Sequence, residues 1–221
     1  RTDQDEFTVH SHRKAIAAQE AGKFRAEIVP VEIPGKGGVT TVAADESPRK
    51  DTSLESLARL KPVFRKDGTV TAGNAPGLND GASAVVVTSL AFAKAHGLAP
   101  KAKVTHYATS GGEPKELFFA PILAVQNLMK KAGTTIGSYD LIEANEAFAV
   151  QAIADGRGLG WDWERVNVHG GAVALGHPIG ASGARVLTTL LYALEDRNGG
   201  TGLATLCLGG GNAVALSVER I

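Results

Sequence analysis

The stretch LIEANEAFAVQAIAD, residues 141–155, changes from a strand pattern to a helix pattern within a few residues. Residues 141–144 predict a short strand, and residues 147–155 carry the small and apolar side chains of a helix that packs on a sheet. Asn145 and Glu146 lie at the junction between the two elements. A strand that leads directly into a helix is typical of α/β folds, so this stretch indicates the fold class.

The segments on both sides of this stretch repeat the same alternation. Helices are predicted at residues 89–96, 114–132 and 179–195, and strands at residues 83–88, 103–109, 166–168, 203–207 and 213–218. This alternation predicts a largely parallel or mixed sheet covered by helices. The last two strands are joined by glycines, so we expect them to form an antiparallel ending.

The first 75 residues do not show this alternation. They predict an amphipathic helix over Asp3–Ala21 and a strand over Ile28–Ile33. A capping box at residues 52–55 predicts a short helix that ends before Pro62. We therefore interpret residues 1–75 as excursions that lie beside a sheet domain and have no complete sheet of their own.

Composition excludes several classes of protein. The chain has 221 residues, is 43% hydrophobic, and balances 23 Lys and Arg against 23 Asp and Glu. A neutral chain has no electrostatic footprint for nucleic acid. No apolar run approaches the about 18 residues of a membrane span. A single cysteine makes no internal disulfide and favours a reducing cytoplasm.

His177 and Cys207 are the strongest candidates for chemistry. His177 precedes a predicted helix in a glycine-rich turn, with Pro178 expected as the first helical residue, and Cys207 ends a predicted strand just before Gly209-Gly210-Gly211. Ligands bind at such sheet ends, and backbone amides there stabilise an oxyanion. The alternatives are a hydrogen-bonded core histidine and a buried, inert cysteine.

Other motifs leave a structural alternative open or fail. Asn145 is either a helix cap or a polar group that positions a water or a carbonyl. The glycines of residues 171–176 have P-loop spacing but lack the following Lys and Ser or Thr, and no glycine set fits the dinucleotide fingerprint. His10 and His12 have no supporting metal ligands and are interpreted as solvated helix residues, so no metal site is expected.

Together these motifs resemble the thiolase family. The resemblance extends essentially from end to end, and its motifs are residues 71–74, 79–82, 145–148, 170–183 and 207–211. It implies a mixed five-stranded sheet with βαβαβαββ order in residues 76–221, and part of a lid-like loop domain in residues 1–75. The forms Glu143-Ala144-Asn145 and His177-Pro178-Ile179 are more similar to the biosynthetic acetoacetyl-CoA thiolases than to the degradative enzymes.

The resemblance implies a reaction and its acid/base groups. Thiolases condense two acetyl-CoA molecules into acetoacetyl-CoA and CoA, or catalyse the reverse. Cys207 would be the general acid/base, and His177 would activate a second, nucleophilic cysteine and point a nitrogen at the thioester oxygen. Asn145 would hold a water that completes this oxyanion site, and the Gly209 N–H would serve a second one.

The resemblance also implies how substrate binds. Arg49 and Ser56 would contact the adenine and phosphate end of CoA, and Phe64, Ala72 and Phe148 would line the pantetheine channel. For the two phenylalanines, an ordinary core position is the alternative. Coenzyme A thioesters are then substrates, and no separate cofactor is expected. Pro76 stands where many relatives have a serine that bonds the pantetheine amide, so we expect a changed contact there.

The second cysteine of a thiolase site has no counterpart here, because Cys207 is the only cysteine. With Arg1 as first residue and Met129 as the only methionine, this leads us to expect a chain without the nucleophile-bearing half and inactive alone. Full thiolases are dimers or tetramers, so the whole protein is expected to be a homo-oligomer. The alternatives are a degradative 3-ketoacyl-CoA thiolase, a non-catalytic CoA- or lipid-binding module, and one subunit of a split enzyme.

Overall fold

The α/β class is confirmed by a computed structural model, which describes residues Arg1–Ile221. The strands are β1 (Val31–Gly35), β2 (Gly38–Val42), β3 (Ala102–Gly111), β4 (Leu141–Ala144), β5 (Thr201–Leu208) and β6 (Asn212–Arg220). The helices are α1 (Thr2–Glu20), α2 (Leu54–Ala58), α3 (Leu90–Ala95), α4 (Ala120–Ala132), α5 (Ala149–Leu159), α6 (Ala172–Leu175) and α7 (Ser182–Arg197). Short 3₁₀ turns occupy Pro114–Phe119 and Ile136–Ser138.

The main sheet is mixed and has the strand order β3-β6-β5-β4. Strands β5 and β6 form the expected antiparallel ending, with Cys207 opposite Ala213, and β3 pairs with β6 in the same sense. Strands β4 and β5 are parallel, with Ala144 opposite Thr205. The carboxyl ends of β4 and β5 therefore lie side by side at one edge of the sheet.

The expected fifth strand at residues 83–88 is absent, so the count of five strands was wrong. This segment pairs with no strand, and Val86 and Val87 are 90% and 77% exposed. It runs along α7 instead, where the Ser83 hydroxyl lies 3.1 Å from the Thr188 hydroxyl. An apolar run has the composition of a strand, but it becomes one only where a neighbouring strand accepts its backbone hydrogen bonds.

Two apolar cores cover the two faces of the sheet. Successive residues of a strand point to opposite faces, and accordingly Ile142 and Leu203 pack with α4 while Leu141 and Ala204 pack with α7. Helix α4 ends at Ala132, the predicted last residue, and Gly133 follows it with a left-handed φ of 67°. The sheet thus holds α7 rigidly beside the end of β4.

Several element ends differ from the predictions by a few residues. Helix α7 begins at Ser182, so Pro178 is not its first residue as expected. The capping box joins Ser53 to Ser56 instead of using residues 52 and 55, and the first strand begins at Val31. The division of the chain at residue 75 stays a prediction. None of the helices combines the length and the apolar composition that a membrane span needs.

Candidate active site

The His177 backbone is seated by the segment around residue 78. Its N–H donates to the Gly77 carbonyl at 3.2 Å. The preceding Gly176 has φ of 97°, and a Cβ there would collide with the Asn79 side chain. Glycine is therefore required at 176 both for its backbone angle and for the close approach of Asn79.

The His177 ring is held in a chain of polar side chains. Nδ1 lies 2.6 Å from the Ser182 hydroxyl, which itself donates to the Pro178 carbonyl at 3.1 Å. Because the hydroxyl hydrogen is used on Pro178, Nδ1 carries the ring proton and donates to Ser182. Nε2 is then an acceptor, and the Asn145 amide nitrogen lies 3.4 Å from it.

The electrostatic environment keeps the His177 ring neutral. Burial lowers its pKa, and the nearby Arg185 guanidinium lowers it further. A histidine with a pKa below its ordinary value is uncharged at neutral pH. The unprotonated ring nitrogen Nε2 is thus able to accept a proton.

Asn145 is fixed by backbone pairing and by Asn167. Its N–H donates to the Thr205 carbonyl at 3.0 Å, and its side chain is buried. The Asn167 side chain accepts from the Ala144 N–H and donates to the Ala144 carbonyl, each at 2.8 Å. Asn145 is not a helix cap, since α5 begins at Ala149 after Phe148.

Glu146 ties this turn to distant parts of the chain. Its carboxylate accepts hydrogen bonds from the Ser11 hydroxyl at 2.8 Å, the Asn167 amide at 2.9 Å and the Val173 N–H at 3.0 Å. Burial raises the pKa of Glu146, and these three bonds oppose the rise. The sequence indicated only that Glu146 lies at the junction between a strand and a helix, because the three donors are far away in the chain.

Cys207 lies at the end of β5, at the same sheet edge as Asn145. It is half-buried, and the glycine turn that begins at Gly209 follows it. Burial raises the pKa of Cys207 to about 11, and the nearby Asp155 raises it as a second cause. The group therefore rests as a thiol at neutral pH. No hydrogen bond joins Cys207 to His177 in the structure.

A cavity of about 500 Å³ is lined by three of the predicted substrate-binding residues: Arg49, Ser56 and Ala72. Gly77 and Asn79 also line it, and these residues contact His177 and Gly176. The cavity thus extends from the Arg49 segment to the neighbourhood of the His177 loop.

Phe64 and Phe148 lie in an aromatic group and not in the lining of this cavity. Their ring centroids are 6.0 Å apart, and Phe118 packs edge-on against Phe148 at 5.2 Å. Phe64 is 72% exposed, so it is not an ordinary core residue. Its exposed ring is available for contact with a ligand or another chain.

His12 was wrongly interpreted as a solvated residue. It is buried to 6% exposure on α1, lines the cavity, and accepts a 3.1 Å hydrogen bond at Nδ1 from the Arg49 N–H. The helical pattern alone does not reveal this, because the Arg49 segment packs on α1 from 37 residues away. Residues 1–221 contain no group of three or more His, Cys, Asp or Glu side chains able to hold a metal ion.

Known proteins are similar to this chain over its whole length. Residues 98–220 match the family model described as "Thiolase, C-terminal domain", and residues 1–91 match "Thiolase, N-terminal domain". The acetyl-CoA acetyltransferase of Paracoccus denitrificans is 54% identical over 220 residues, which are 100% of this chain and 56% of the relative. The Escherichia coli K12 acetyl-CoA acetyltransferase is 51% identical, over 99% of this chain and 55% of the relative.

Solved structures show the same likeness. The Bacillus anthracis acetyl-CoA acetyltransferase has a TM-score of 0.98 at 44% identity, and human mitochondrial 3-ketoacyl-CoA thiolase has 0.93 at 38%. Each match covers 100% of this chain and 56% of the other. The chain spans about half the length of the relatives that it matches.

Proposed function

Because the chain belongs to the thiolase family, we propose that it carries the acid/base half of an acetyl-CoA acetyltransferase site. The reaction is the reversible condensation of two acetyl-CoA molecules to acetoacetyl-CoA and CoA. The observation that carries the proposal is the 3.4 Å approach of the Asn145 amide to His177 Nε2, beside the strand end that bears Cys207. In the whole protein, the nucleophile would be a second cysteine.

In the condensation, the Cys207 thiolate removes a proton from the methyl group of acetyl-CoA, and the C–H electron pair moves onto the thioester oxygen. His177 Nε2 takes the proton of the second cysteine's thiol, and the N–H so formed stabilises the oxyanion at one site together with a water held by Asn145. The Gly209 N–H serves the other oxyanion site. The enolate carbon then attacks the acetyl group held as a thioester on the second cysteine. The new C–C bond forms as the cysteine sulfur leaves.

The raised pKa of Cys207 supports this assignment in the cleavage direction. There, the departing acetyl-CoA enolate needs a proton at carbon, and a resting thiol supplies it. In the condensation direction the thiol must first lose its proton, so this direction should be favoured by higher pH. A cysteine nucleophile would need a lowered pKa instead, which argues that Cys207 is the acid/base and not the acylated group.

Binding of CoA is the second part of the proposal. Arg49 and Ser56 would contact the adenine and phosphate end, while Ala72, Phe64 and Phe148 would border the pantetheine arm. Support comes from the cavity that joins Arg49 to the His177 loop. No cofactor besides the CoA thioesters is proposed, and we place the whole protein in the cytoplasm as a homo-oligomer.

One cysteine does not suffice for covalent acyl transfer, so we infer that the 221-residue chain is inactive alone. Acetoacetyl-CoA thiolysis by the purified chain is the test, followed at the absorbance of the substrate enolate. Turnover above a Cys207→Ala control would overturn the inference.

The proposed activity is tested in a chimera, in which this chain replaces the matching segment of the Paracoccus denitrificans acetyl-CoA acetyltransferase. We expect the chimera to catalyse thiolysis of acetoacetyl-CoA. The rate should fall at least about 100-fold in Cys207→Ala and in His177→Ala. Exposed Lys66→Ala is the control. A folded chimera that binds CoA and does no thiolysis would contradict the proposal and favour the non-catalytic CoA-binding module.

A degradative 3-ketoacyl-CoA thiolase is the second candidate, since the human mitochondrial enzyme of that name has the same fold at 38% identity. The same chimera distinguishes the two by substrate. Higher kcat/KM for a long-chain 3-ketoacyl-CoA than for acetoacetyl-CoA would favour the degradative assignment. The reverse order supports the proposed one.

A further inference from the structure

The guanidinium of Arg185 and the buried carboxyl of Glu143 lie side by side near the elements that hold His177 and Asn145. The Nη1 atom of Arg185 on α7 is 3.6 Å from Oε2 of Glu143 on β4, and the two side chains are 17% and 1% exposed. No protein group hydrogen-bonds either carboxyl oxygen or any guanidinium nitrogen of the pair. The Arg185 charge is therefore the main compensation for the burial of an ionised Glu143 carboxyl.

This pair closes a ring around the site. Arg185 follows Ser182 by about one helical turn, and the Ser182 hydroxyl lies 2.6 Å from His177 Nδ1. Glu143 precedes Asn145 by two residues, and the Asn145 amide lies 3.4 Å from His177 Nε2. A displacement between Arg185 and Glu143 would therefore move both partners of the His177 ring.

We propose that Arg185 is a positioning residue: its guanidinium, which lies 3.6 Å from the Glu143 carboxyl, fixes the start of α7 against the end of β4 and holds its positive charge near the His177 imidazole. This inference rests on the proposed function in one respect, which is that His177 is taken as a catalytic group. The arrangement itself belongs to the 221-residue chain and needs no turnover.

The charges around Arg185 explain why its field reaches His177. Burial raises the pKa of Glu143 to about 8 and that of Glu27 to about 7, and Arg185 opposes both rises. Both carboxyls are therefore protonated in the acidic range, where His177 titrates. Burial also raises the pKa of Asp45.

Two more charged groups face this cluster. The Arg185 charge lowers the pKa of Glu146, and the Lys14 charge lowers the pKa of Glu143, each as a minor cause. Burial raises the pKa of Glu146 as it does that of the other buried carboxyls. Near the His177 midpoint, the Glu143 and Glu27 carboxyls therefore do not neutralise the Arg185 cation, and this cation disfavours a second positive charge on the imidazole.

The test is the pH titration of the His177 ring by NMR in the 221-residue chain, with the signal assigned through His177→Asn. In Arg185→Gln we expect the midpoint to move upward, because the cation that lowers it is gone. Arg185→Lys keeps the charge and should keep the midpoint near that of the unmodified chain. Glu143→Gln imitates the protonated carboxyl and should leave the midpoint unchanged.

A double variant separates positioning from plain stability. Arg185→Met with Glu143→Leu replaces the pair by apolar groups of similar size, a change that buried ion pairs often tolerate. We expect this variant to fold, and its His177 midpoint to be raised as in Arg185→Gln. Arg197→Gln, in the last turn of the same helix, is the control with no expected effect.

An unchanged His177 midpoint in folded Arg185→Gln, or in the folded double variant if the single one does not fold, would overturn the proposal. If neither of these variants folds, the Arg185→Lys variant decides. A raised His177 midpoint in Arg185→Lys would overturn the proposal, and an unchanged midpoint supports it. These outcomes are independent of the chimera assay. The proposed activity and the role of Arg185 can therefore fail separately.

Discussion

The N–H of Arg49 donates a 3.1 Å hydrogen bond to Nδ1 of His12, a histidine buried on α1. This bond joins the first helix to the segment that we propose binds the phosphate end of CoA. It exists only while Nδ1 is unprotonated, because a protonated imidazole has no acceptor. The position of the Arg49 backbone therefore depends on the protonation state of His12, which lies 37 residues away in the chain.

We predict that CoA binds more weakly to this chain in acid. Burial lowers the pKa of His12, and the Arg49 charge lowers it further as the second cause. The neutral form of His12 therefore persists below pH 6.5. The stability gained from this group is fully present above the unfolded pKa and is lost as pH falls through the lower, folded pKa. Isothermal titration with CoA from pH 8 to pH 5 measures the effect.

His12→Gln retains a side-chain acceptor and should bind CoA with a weaker pH dependence. His12→Phe removes the acceptor and should bind it several-fold more weakly at pH 8, since one buried hydrogen bond contributes about 1 kcal/mol. Exposed His10→Phe is the matched control on the same helix. Equal affinities of His12→Phe and His10→Phe for CoA at pH 8 would show that this hydrogen bond does not hold Arg49 in its binding position.

Cys207 is predicted to react slowly with iodoacetamide at neutral pH. With a pKa raised to about 11, its rate should rise about tenfold per pH unit through the range from 7 to 10. Asp155→Asn removes the carboxylate that raises this pKa, so Cys207 should be alkylated faster in this variant at each pH. Exposed Asp67→Asn is the control, and mass spectrometry of the modified chain gives the rates.

Asn167 is predicted to stabilise the Asn145 turn through its side chain. Asn167→Gly keeps the left-handed φ of 45° at no steric cost but leaves the Ala144 N–H and carbonyl without their partner. We expect the free energy of unfolding to fall by about 1–3 kcal/mol in urea titrations. Asn198→Gly, at a φ of 52° where glycine is favoured after a helix, should change it by only a few tenths of a kcal/mol.

The sequence predicted local elements better than the contacts that place the site. Residues 141–144 form the predicted strand because a short apolar run beside a helix start leaves little choice. Residues 83–88 have similar composition but no partner strand, and partner choice is a property of the whole fold. His12 and Asn167 escaped notice for the same reason, since their partners come from distant segments.

Asp155 should make the chain less stable as pH rises from about 4 to 7. Its carboxyl is buried on α5, accepts a hydrogen bond from Gln151, and has a pKa raised by burial to about 7. In the unfolded chain the same carboxyl ionises near pH 4, so between these values the folded state holds more protons than the unfolded state. By linkage, the free energy of unfolding then falls with rising pH.

Asp155→Asn should remove this dependence, because an amide has nothing to ionise at that position. The variant is expected to unfold at a higher urea concentration than the unmodified chain at pH 8, and the difference should shrink towards pH 4. Exposed Asp162→Asn serves as the control with no such trend. A difference that does not change between pH 4 and pH 8 would mean that the Asp155 carboxyl ionises equally in both states.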